Sequence, residues 1–119
     1  MQRILVVDDS PTEQSVIRQP LEANGYQVVL ASGGDEGLGR LENEPFDLLV
    51  LDVVMPGKNG FQICRQIRRD ERWVGLPILM VTSKDQDADR FWGMKQGATE
   101  YITKPFNADD LVSAVRRHI

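Results

Sequence analysis

The sequence is poor in the residues and patterns that several common functions require. It has a single cysteine, Cys64, so it cannot form an internal disulfide bond, which suits a reducing cytoplasm. No apolar stretch approaches the roughly 20 residues needed to span a bilayer, and no signal-peptide pattern precedes the first apolar run. The net charge of −4 argues against a nucleic-acid-binding surface. We therefore expect a cytoplasmic protein that binds neither membranes nor nucleic acids.

The motifs of several enzyme classes are also missing. There is no G-x-x-x-x-G-K-[ST] phosphate loop, no serine elbow and no histidine cluster. The only histidine, His118, lies at the end of the chain, where we expect it to interact with the dipole of the last helix. The loop Asp8-Asp9-Ser10-Pro11 is acidic, so it would repel a nucleotide or flavin phosphate unless a metal ion bound first.

The sequence does contain a strand-helix pattern that repeats five times. Short apolar runs, typical of buried parallel strands, alternate with helical patterns. Strands are predicted at about residues 3–7, 27–31, 47–51, 77–81 and 99–102. Helices are predicted at about residues 11–24, 35–43, 61–70 and 87–96, with a last helix capped by Asn107. The pattern predicts one α/β domain over residues 1–119, a doubly wound parallel sheet with helices on both faces.

The first predicted helix has a strong start signal. Ser10 is the predicted N-cap, Pro11 the first helical residue, and Glu13 follows the cap by three residues, which is the spacing of a capping box. Pro20 lies inside the same helix and removes a backbone donor there, so we expect a kink. The residues expected to face the core are Val16, Ile17 and Leu21.

The thiol and the larger aromatic side chains are predicted to be mainly structural. Cys64 lies at helical spacing from apolar residues, which favours a buried thiol over a reactive one. Trp73 is expected to pack over the loop that leads into the fourth strand. Phe91 and Trp92 are adjacent on the fourth helix, so they cannot both face the core. We expect Phe91 and Met94 on the core side and Trp92 partly exposed, either anchoring a partner or covering a neighbouring loop.

Polar side chains stand where four of the predicted strands end. Asp8 and Asp9 follow the first strand, Asp52 the third and Thr82 the fourth, and Lys104 lies just beyond the fifth. The carboxyl ends of parallel strands meet at one edge of the sheet, and ligands bind in the crevice there. The sequence therefore predicts that these five side chains share one crevice.

The chemistry of this set points to a metal ion and a phosphoryl group. Like charges a few ångströms apart cannot all stay ionised uncompensated, and oxygen ligands suit Mg²⁺. Asp8, Asp9 and Asp52 are thus predicted as ligands or their neighbours; alternatively, the first two only cap a turn, a task that the next residue performs better. Thr82 and Lys104 could contact a phosphoryl group. Asp52, alone at its strand end, is the best candidate for a carboxylate that accepts one.

The chain resembles the receiver domain of two-component response regulators over its whole length. The resemblance rests on four stretches in the family's order and spacing: ILVVDD at 4–9, LDVVMPG at 51–57, VTS at 81–83 and KP at 104–105. It implies a flavodoxin-like, CheY-like fold with strand order 2-1-3-4-5. It also implies a histidine kinase as phosphodonor and a signalling domain that catalyses only its own phosphorylation and dephosphorylation, rather than an enzyme.

The resemblance also implies roles for individual residues. Asp52 would be the phosphoacceptor, Thr82 and Lys104 would contact the phosphoryl group, and the Lys104-Pro105 peptide bond would be cis. The Mg²⁺ ligands would be Asp8, Asp9, Asp52 and the backbone carbonyl of Val54.

A narrower resemblance concerns the pathway. The stretches DSPTE at 9–13, VTSKDQ at 81–86 and WGMKQGA at 92–98 are similar to PilH-like regulators of type IV pilus motility. The lack of an output domain is similar to stand-alone, chemotaxis-type regulators. We therefore expect a stand-alone switch that docks onto a motility or pilus protein.

Residues around the predicted acyl phosphate indicate how the switch would behave. Val54 cannot orient a water molecule, and Lys84 could pair with the phosphoryl group or with Asp85, so we expect slow self-dephosphorylation. On phosphorylation Thr82 should move towards the phosphoryl group, and by family resemblance Tyr101 would turn inward. The readout face would be helix four, strand five and helix five; alternatively, Tyr101 is only a half-buried strand aromatic.

Two other functions compete with an effector switch. A phosphate sink would drain a shared kinase without needing an output partner. An aspartate-nucleophile phosphatase has a similar site, but it usually needs a second aspartate two residues after the nucleophile as general acid. Because Val54 occupies that position, the phosphatase is the weaker reading.

Overall fold

Strands and helices alternate along the whole chain in a computed structural model that describes residues 1–119. The strands are β1 (Arg3–Val7), β2 (Gln27–Ala31), β3 (Leu48–Leu51), β4 (Ile78–Thr82) and β5 (Glu100–Thr103). The helices are α1 (Pro11–Ala23), α2 (Gly34–Asn43), α3 (Gly60–Arg68), α4 (Asp87–Gln96) and α5 (Ala108–Arg116), and a short 3₁₀ helix covers Glu71–Trp73. None of the helices is long and apolar enough to cross a membrane.

The five strands form one parallel sheet in the order β2-β1-β3-β4-β5, which confirms the predicted order. Strands β3 and β4 consist entirely of buried residues because helices cover both faces of the sheet. One apolar cluster lies between the sheet and α2 and α3, and a second lies between the sheet and α1 and α5. Such a sheet leaves its carboxyl edge open between the helices.

Helix α1 begins as predicted and buries two of the three residues expected to face the core, Ile17 and Leu21. It is unbroken through Pro20, and its buried residues are Gln14, Ile17 and Leu21. The prediction that Val16 faces the core is wrong, because its side chain is 47% exposed. Gln14 takes the inner position because its amide donates a hydrogen bond of 2.6 Å to the carbonyl oxygen of Asp8, so a polar side chain is satisfied inside the fold.

Helix α4 lies on the sheet through a glycine instead of through large apolar side chains. Its only buried residue is Gly93, and a Cβ added there would lie 2.8 Å from a ring carbon of Tyr101. The prediction that Phe91 and Met94 face the core is therefore wrong. They are 62% and 49% exposed, and Trp92 is 51% exposed as expected. Close contact at Gly93 leaves no room for a large side chain, so the aromatic residues turn outward.

The remaining structural predictions concern side chains away from the crevice. Cys64 is fully buried, and burial raises the pKa of its thiol to about 11, which confirms a structural thiol. Trp73 is half-buried against the first apolar cluster, as predicted. The ring of His118 lies 2.6 Å from a carboxylate oxygen of Glu100, so the structure gives it a partner on β5 that the sequence did not reveal.

Candidate functional site

Three carboxylates meet at the carboxyl edge of the sheet. One oxygen each of Asp8, Asp9 and Asp52 lies within 4.8 Å of the others. Strand pairing brings them together, because the amide of Asp52 donates to the carbonyl oxygen of Val7 at 3.0 Å and so continues the β1–β3 ladder. Asp8 and Asp52 are buried, whereas Asp9 is exposed. The predicted convergence of the three acids is therefore present.

The carboxylate of Asp8 accepts shorter hydrogen bonds than that of Asp52. Its Oδ1 accepts the backbone N–H of Ser10 at 2.9 Å, and its carbonyl oxygen accepts the side-chain amide of Gln14. Asp52 Oδ1 accepts a longer bond of 3.3 Å from the backbone N–H of Val54. Sequence reasoning missed Gln14 as a supporting residue. Its spacing from Ile17, which lies on the buried face of α1, is the signal that could have found it.

Lys104 supplies the positive charge of the site. Its ammonium lies 2.8 Å from Asp8 Oδ2, 3.4 Å from Glu13 Oε2 and 3.5 Å from Asp52 Oδ2. The ladder between β4 and β5 continues to this residue, since the amide of Lys104 donates to the carbonyl oxygen of Thr82 at 2.8 Å. The peptide bond to Pro105 is cis, as predicted. Sequence reasoning treated Glu13 only as part of a helix cap and missed its place beside the lysine.

The electrostatics of the site favour an added cation. Burial raises the pKa of Asp52, although a hydrogen bond with Thr82 and the charge of Lys104 partly oppose this. Burial by itself would lower the pKa of Lys104, but the hydrogen bond to Asp8 and the charge of Asp52 outweigh it, and the net effect raises that pKa. A single ammonium thus serves several carboxylates. An all-oxygen donor set with excess negative charge fits Mg²⁺.

The loop after β4 connects Thr82 to Tyr101. Thr82 is fully buried, and its Oγ1 accepts the backbone N–H of Lys84 at 3.4 Å. The carbonyl oxygen of Lys84 in turn accepts the phenolic hydroxyl of Tyr101 at 2.7 Å. Tyr101 is half-buried, and burial raises its pKa to about 12, so the hydroxyl keeps its proton near neutral pH. The backbone of Lys84 therefore links Thr82 at the end of β4 to the side chain of Tyr101 on β5.

Val54 and Lys84, which were predicted to flank the acyl phosphate, lie in the loops after β3 and β4. Val54 is 51% exposed and lines the crevice. The ammonium of Lys84 lies 3.9 Å from Asp89 on α4, so it pairs with this acid instead of with Asp85. The side chain of Val54 has no polar atom to hold a water molecule against Asp52, and the ammonium of Lys84 is paired with Asp89.

Gly60, at the start of α3, fixes the loop that carries Asp52. Its amide donates to the carbonyl oxygen of Val53 at 2.9 Å. A Cβ added to Gly60 would overlap the carbonyl oxygen of Asp52 and lie 2.8 Å from the Cα of Val53. Only a glycine allows this approach, so Gly60 is a structural requirement of the site that the sequence did not single out.

The acidic cluster opens into a crevice of about 590 Å³. Besides Asp8, Asp9, Asp52 and Lys104, its lining residues are Ser10, Glu13, Val16, Val54, Ser83, Pro105 and Phe106. Thr82 does not line the crevice because it is fully buried, so four of the five predicted side chains share it. Trp92 and Tyr101 do not line it either.

Comparisons with known proteins agree with this geometry. The family model described as "Response regulator receiver domain" matches residues 4–116, and the chain belongs to this family. Among curated proteins it is 44% identical over 115 residues to protein PilH of Pseudomonas aeruginosa, covering 97% of this chain and 95% of PilH. Longer transcriptional regulators also match, and the chain spans 44% to 48% of their length.

Solved structures give the same result. The chemotaxis protein CheY4 of Vibrio cholerae superposes with a TM-score of 0.93 at 32% identity, covering 100% of this chain and 99% of CheY4. The response regulator TrrA of Thermotoga maritima, in complex with Mg²⁺-BeF, superposes with a TM-score of 0.89 at 32% identity and full coverage of both chains. The predicted receiver domain and CheY-like fold are confirmed.

Proposed function

We propose that this chain is a phosphorylation switch in which Asp52 accepts a phosphoryl group from a histidine kinase. A carboxylate oxygen of Asp52 forms the new P–O bond while the P–N bond of the kinase phosphohistidine breaks. The electron pair of that bond stays on the imidazole, which takes up a proton. The observation that carries the proposal is the arrangement of Asp52 within 4.8 Å of two other carboxylates and 3.5 Å from Lys104.

The choice of Asp52 as acceptor follows from its weaker engagement. Asp8 is committed to the ammonium of Lys104 at 2.8 Å and to the amide of Ser10. Asp9 is exposed and suits the open side of a metal site. Asp52 is buried, faces the crevice and makes only longer contacts, so one of its oxygens can attack phosphorus.

A Mg²⁺ ion would neutralise charge on the phosphoryl oxygens during transfer. The residues that would hold it are Asp8, Asp9, Asp52 and the backbone carbonyl of Val54. The complex of the related TrrA with Mg²⁺-BeF supports the binding of Mg²⁺ and a phosphoryl group at this site. Lys104 would contact one phosphoryl oxygen, and the hydroxyl of Thr82 would donate to another.

The link between Thr82 and Tyr101 supports a mechanism for the switch. If the hydroxyl of Thr82 moves to the phosphoryl group, its hydrogen bond from the amide of Lys84 is lost. Movement of Lys84 then displaces the carbonyl oxygen that holds the hydroxyl of Tyr101. Tyr101 can then turn further inward, which changes the face formed by α4, β5 and α5.

This face is the proposed site for an output partner. Its α4 part exposes three large apolar side chains, Phe91, Trp92 and Met94. The similarity to PilH over nearly the full length supports a stand-alone regulator of one domain, 1–119, which acts in pilus or other motility control. Membership of the receiver-domain family supports a location in the cytoplasm. A phosphate sink is the alternative within the same chemistry. An aspartate-nucleophile phosphatase is not favoured, since Val54 stands where its general acid would be.

The test is the mass of the intact protein after incubation with a small phosphodonor and Mg²⁺. One added phosphoryl group is expected that requires the metal ion and is absent in Asp52→Asn. No adduct on a folded protein that binds Mg²⁺ would contradict self-catalysed phosphorylation. A pull-down with and without beryllofluoride, a phosphoryl mimic, distinguishes an effector from a sink, because only an effector gains a partner.

A further inference from the structure

The carboxylate of Glu13 lies at the crevice although its position in α1 predicts a capping role. The backbone N–H of Glu13 completes the cap by donating to Ser10 Oγ at 3.3 Å. In a full capping box, its side chain would accept the backbone N–H of Ser10 in return. That donor is taken by Asp8 Oδ1 at 2.9 Å. The side chain of Glu13 is therefore free to point elsewhere.

The carboxylate of Glu13 points at the ammonium of Lys104. The Nζ–Oε2 distance is 3.4 Å, an ion-pair contact with a partly exposed carboxylate, while the ammonium donates a hydrogen bond of 3.5 Å to Asp52 Oδ2. A lysine ammonium has three donors, and the shortest contact, to Asp8, uses one of them. Glu13 and Asp52 thus draw the same ammonium in different directions, one towards α1 and the other towards the phosphoacceptor.

We propose that Glu13 is a positioning residue that holds Lys104 towards α1 in the unphosphorylated protein and so weakens the binding of a phosphoryl group at Asp52. The proposal rests on the proposed function of Asp52. A phosphoryl group adds negative charge and needs the Lys104 ammonium on one of its oxygens. Asp8, Glu13 and Asp52 already surround the three donors of this ammonium, so a phosphoryl oxygen can bind it only if one carboxylate gives up its contact.

The same carboxylate also adds negative charge to the crevice. With Glu13, four carboxylates and one ammonium line the crevice, which favours a cation and disfavours an anion. Removing the charge of Glu13 should therefore weaken the binding of Mg²⁺ and strengthen the binding of a phosphoryl group. These opposite changes in affinity distinguish the proposed role from a loss of folded structure, which would weaken the binding of both Mg²⁺ and the phosphoryl group.

The test measures the affinity for beryllofluoride at saturating Mg²⁺ by calorimetric titration of the full chain. Glu13→Gln is expected to bind it about fivefold more tightly than the wild type, since one repulsive charge is removed and Lys104 is released. The control is Glu22→Gln, on the same helix but paired with Arg18. It should match the wild type. Equal or weaker binding by Glu13→Gln would overturn the proposal.

A second variant separates position from charge. Glu13→Asp keeps the charge but shortens the side chain, so it should lose the contact with Lys104 and still bind beryllofluoride more tightly than the wild type. If it binds like the wild type while Glu13→Gln binds more tightly, charge alone acts and the positioning role is refuted. If the wild type binds no beryllofluoride and forms no adduct, the proposed function of Asp52 fails as well.

Discussion

Replacing Lys104 with methionine should destabilise the metal-free protein strongly. The substitution keeps the length of the side chain but leaves Asp8 and Asp52 buried without their ammonium partner. At 2.8 Å, the attraction between Lys104 and Asp8 amounts to about 6 kcal/mol at an effective dielectric constant of roughly 20. Because burying the lysine costs part of this, breaking such a pair typically lowers the free energy of unfolding by about 3 to 5 kcal/mol.

We expect the lower end of that range, about 3 kcal/mol, because the lysine side chain keeps 11% exposure and water can reach the crevice. For a chain of this size the melting temperature should fall by roughly 10 °C or more. Urea denaturation with EDTA present measures the loss. Saturating Mg²⁺ should restore more than half of it, since the ion supplies the missing positive charge.

The effect should also depend on pH with a definite sign. Burial raises the folded-state pKa of Asp52, so its protonated form is favoured in the folded protein. The stability that this group contributes is complete below its unfolded pKa and is lost as the pH rises through the folded value. Without Lys104 that pKa rises further. The deficit of Lys104→Met should therefore be larger at pH 7 than at pH 4.

The control is Lys58→Met, which removes an exposed lysine paired with Asp35 at 3.7 Å. It should change the free energy of unfolding by less than about 0.5 kcal/mol. A loss below about 1 kcal/mol for Lys104→Met, or a loss that Mg²⁺ leaves unchanged, would refute the reasoning that one ammonium balances the buried acids.

Three further substitutions each test the role of one residue, Gly60, Val54 or Tyr101. Gly60→Ala should lower the free energy of unfolding by about 2 kcal/mol or more in urea denaturation, since the new Cβ overlaps the Asp52 carbonyl oxygen; a neutral result would contradict that packing. Val54→Asn should shorten the acyl-phosphate lifetime in a time course of intact mass, and a lifetime of seconds that the substitution does not change would remove slow self-dephosphorylation. Tyr101→Phe should cost about 1 kcal/mol by losing the bond to Lys84 yet still be phosphorylated; loss of the adduct would contradict a role confined to readout.

The strands could be predicted from the sequence because each is an apolar run that ends at a polar residue. The ends of β3, β4 and β5 differ from the prediction by one residue. Strand β4, for example, includes Thr82, since its carbonyl oxygen pairs with the amide of Lys104. The helices were harder. The packing side of α4 is set by close contact at Gly93, and a hydrophobic pattern does not reveal that a helix rests on its glycine.

The site was predictable to the extent that it lies at strand ends. Asp8, Asp52 and Lys104 converge because parallel strands share one carboxyl edge, which is a consequence of topology. The supporting residues depend on side-chain direction instead. Gln14 bonds to the carbonyl oxygen of Asp8, and Glu13 turns away from the helix cap because another acid already fills it. Such competition between acceptors is not visible in a sequence.

The most direct test of the central claim identifies the phosphorylated residue chemically. After phosphorylation by a small donor with Mg²⁺, borohydride reduces an aspartyl phosphate to homoserine, and peptide mass spectrometry locates the change. The account predicts homoserine at position 52 alone. Homoserine at position 8 or 9, with Asp52 intact, would contradict it.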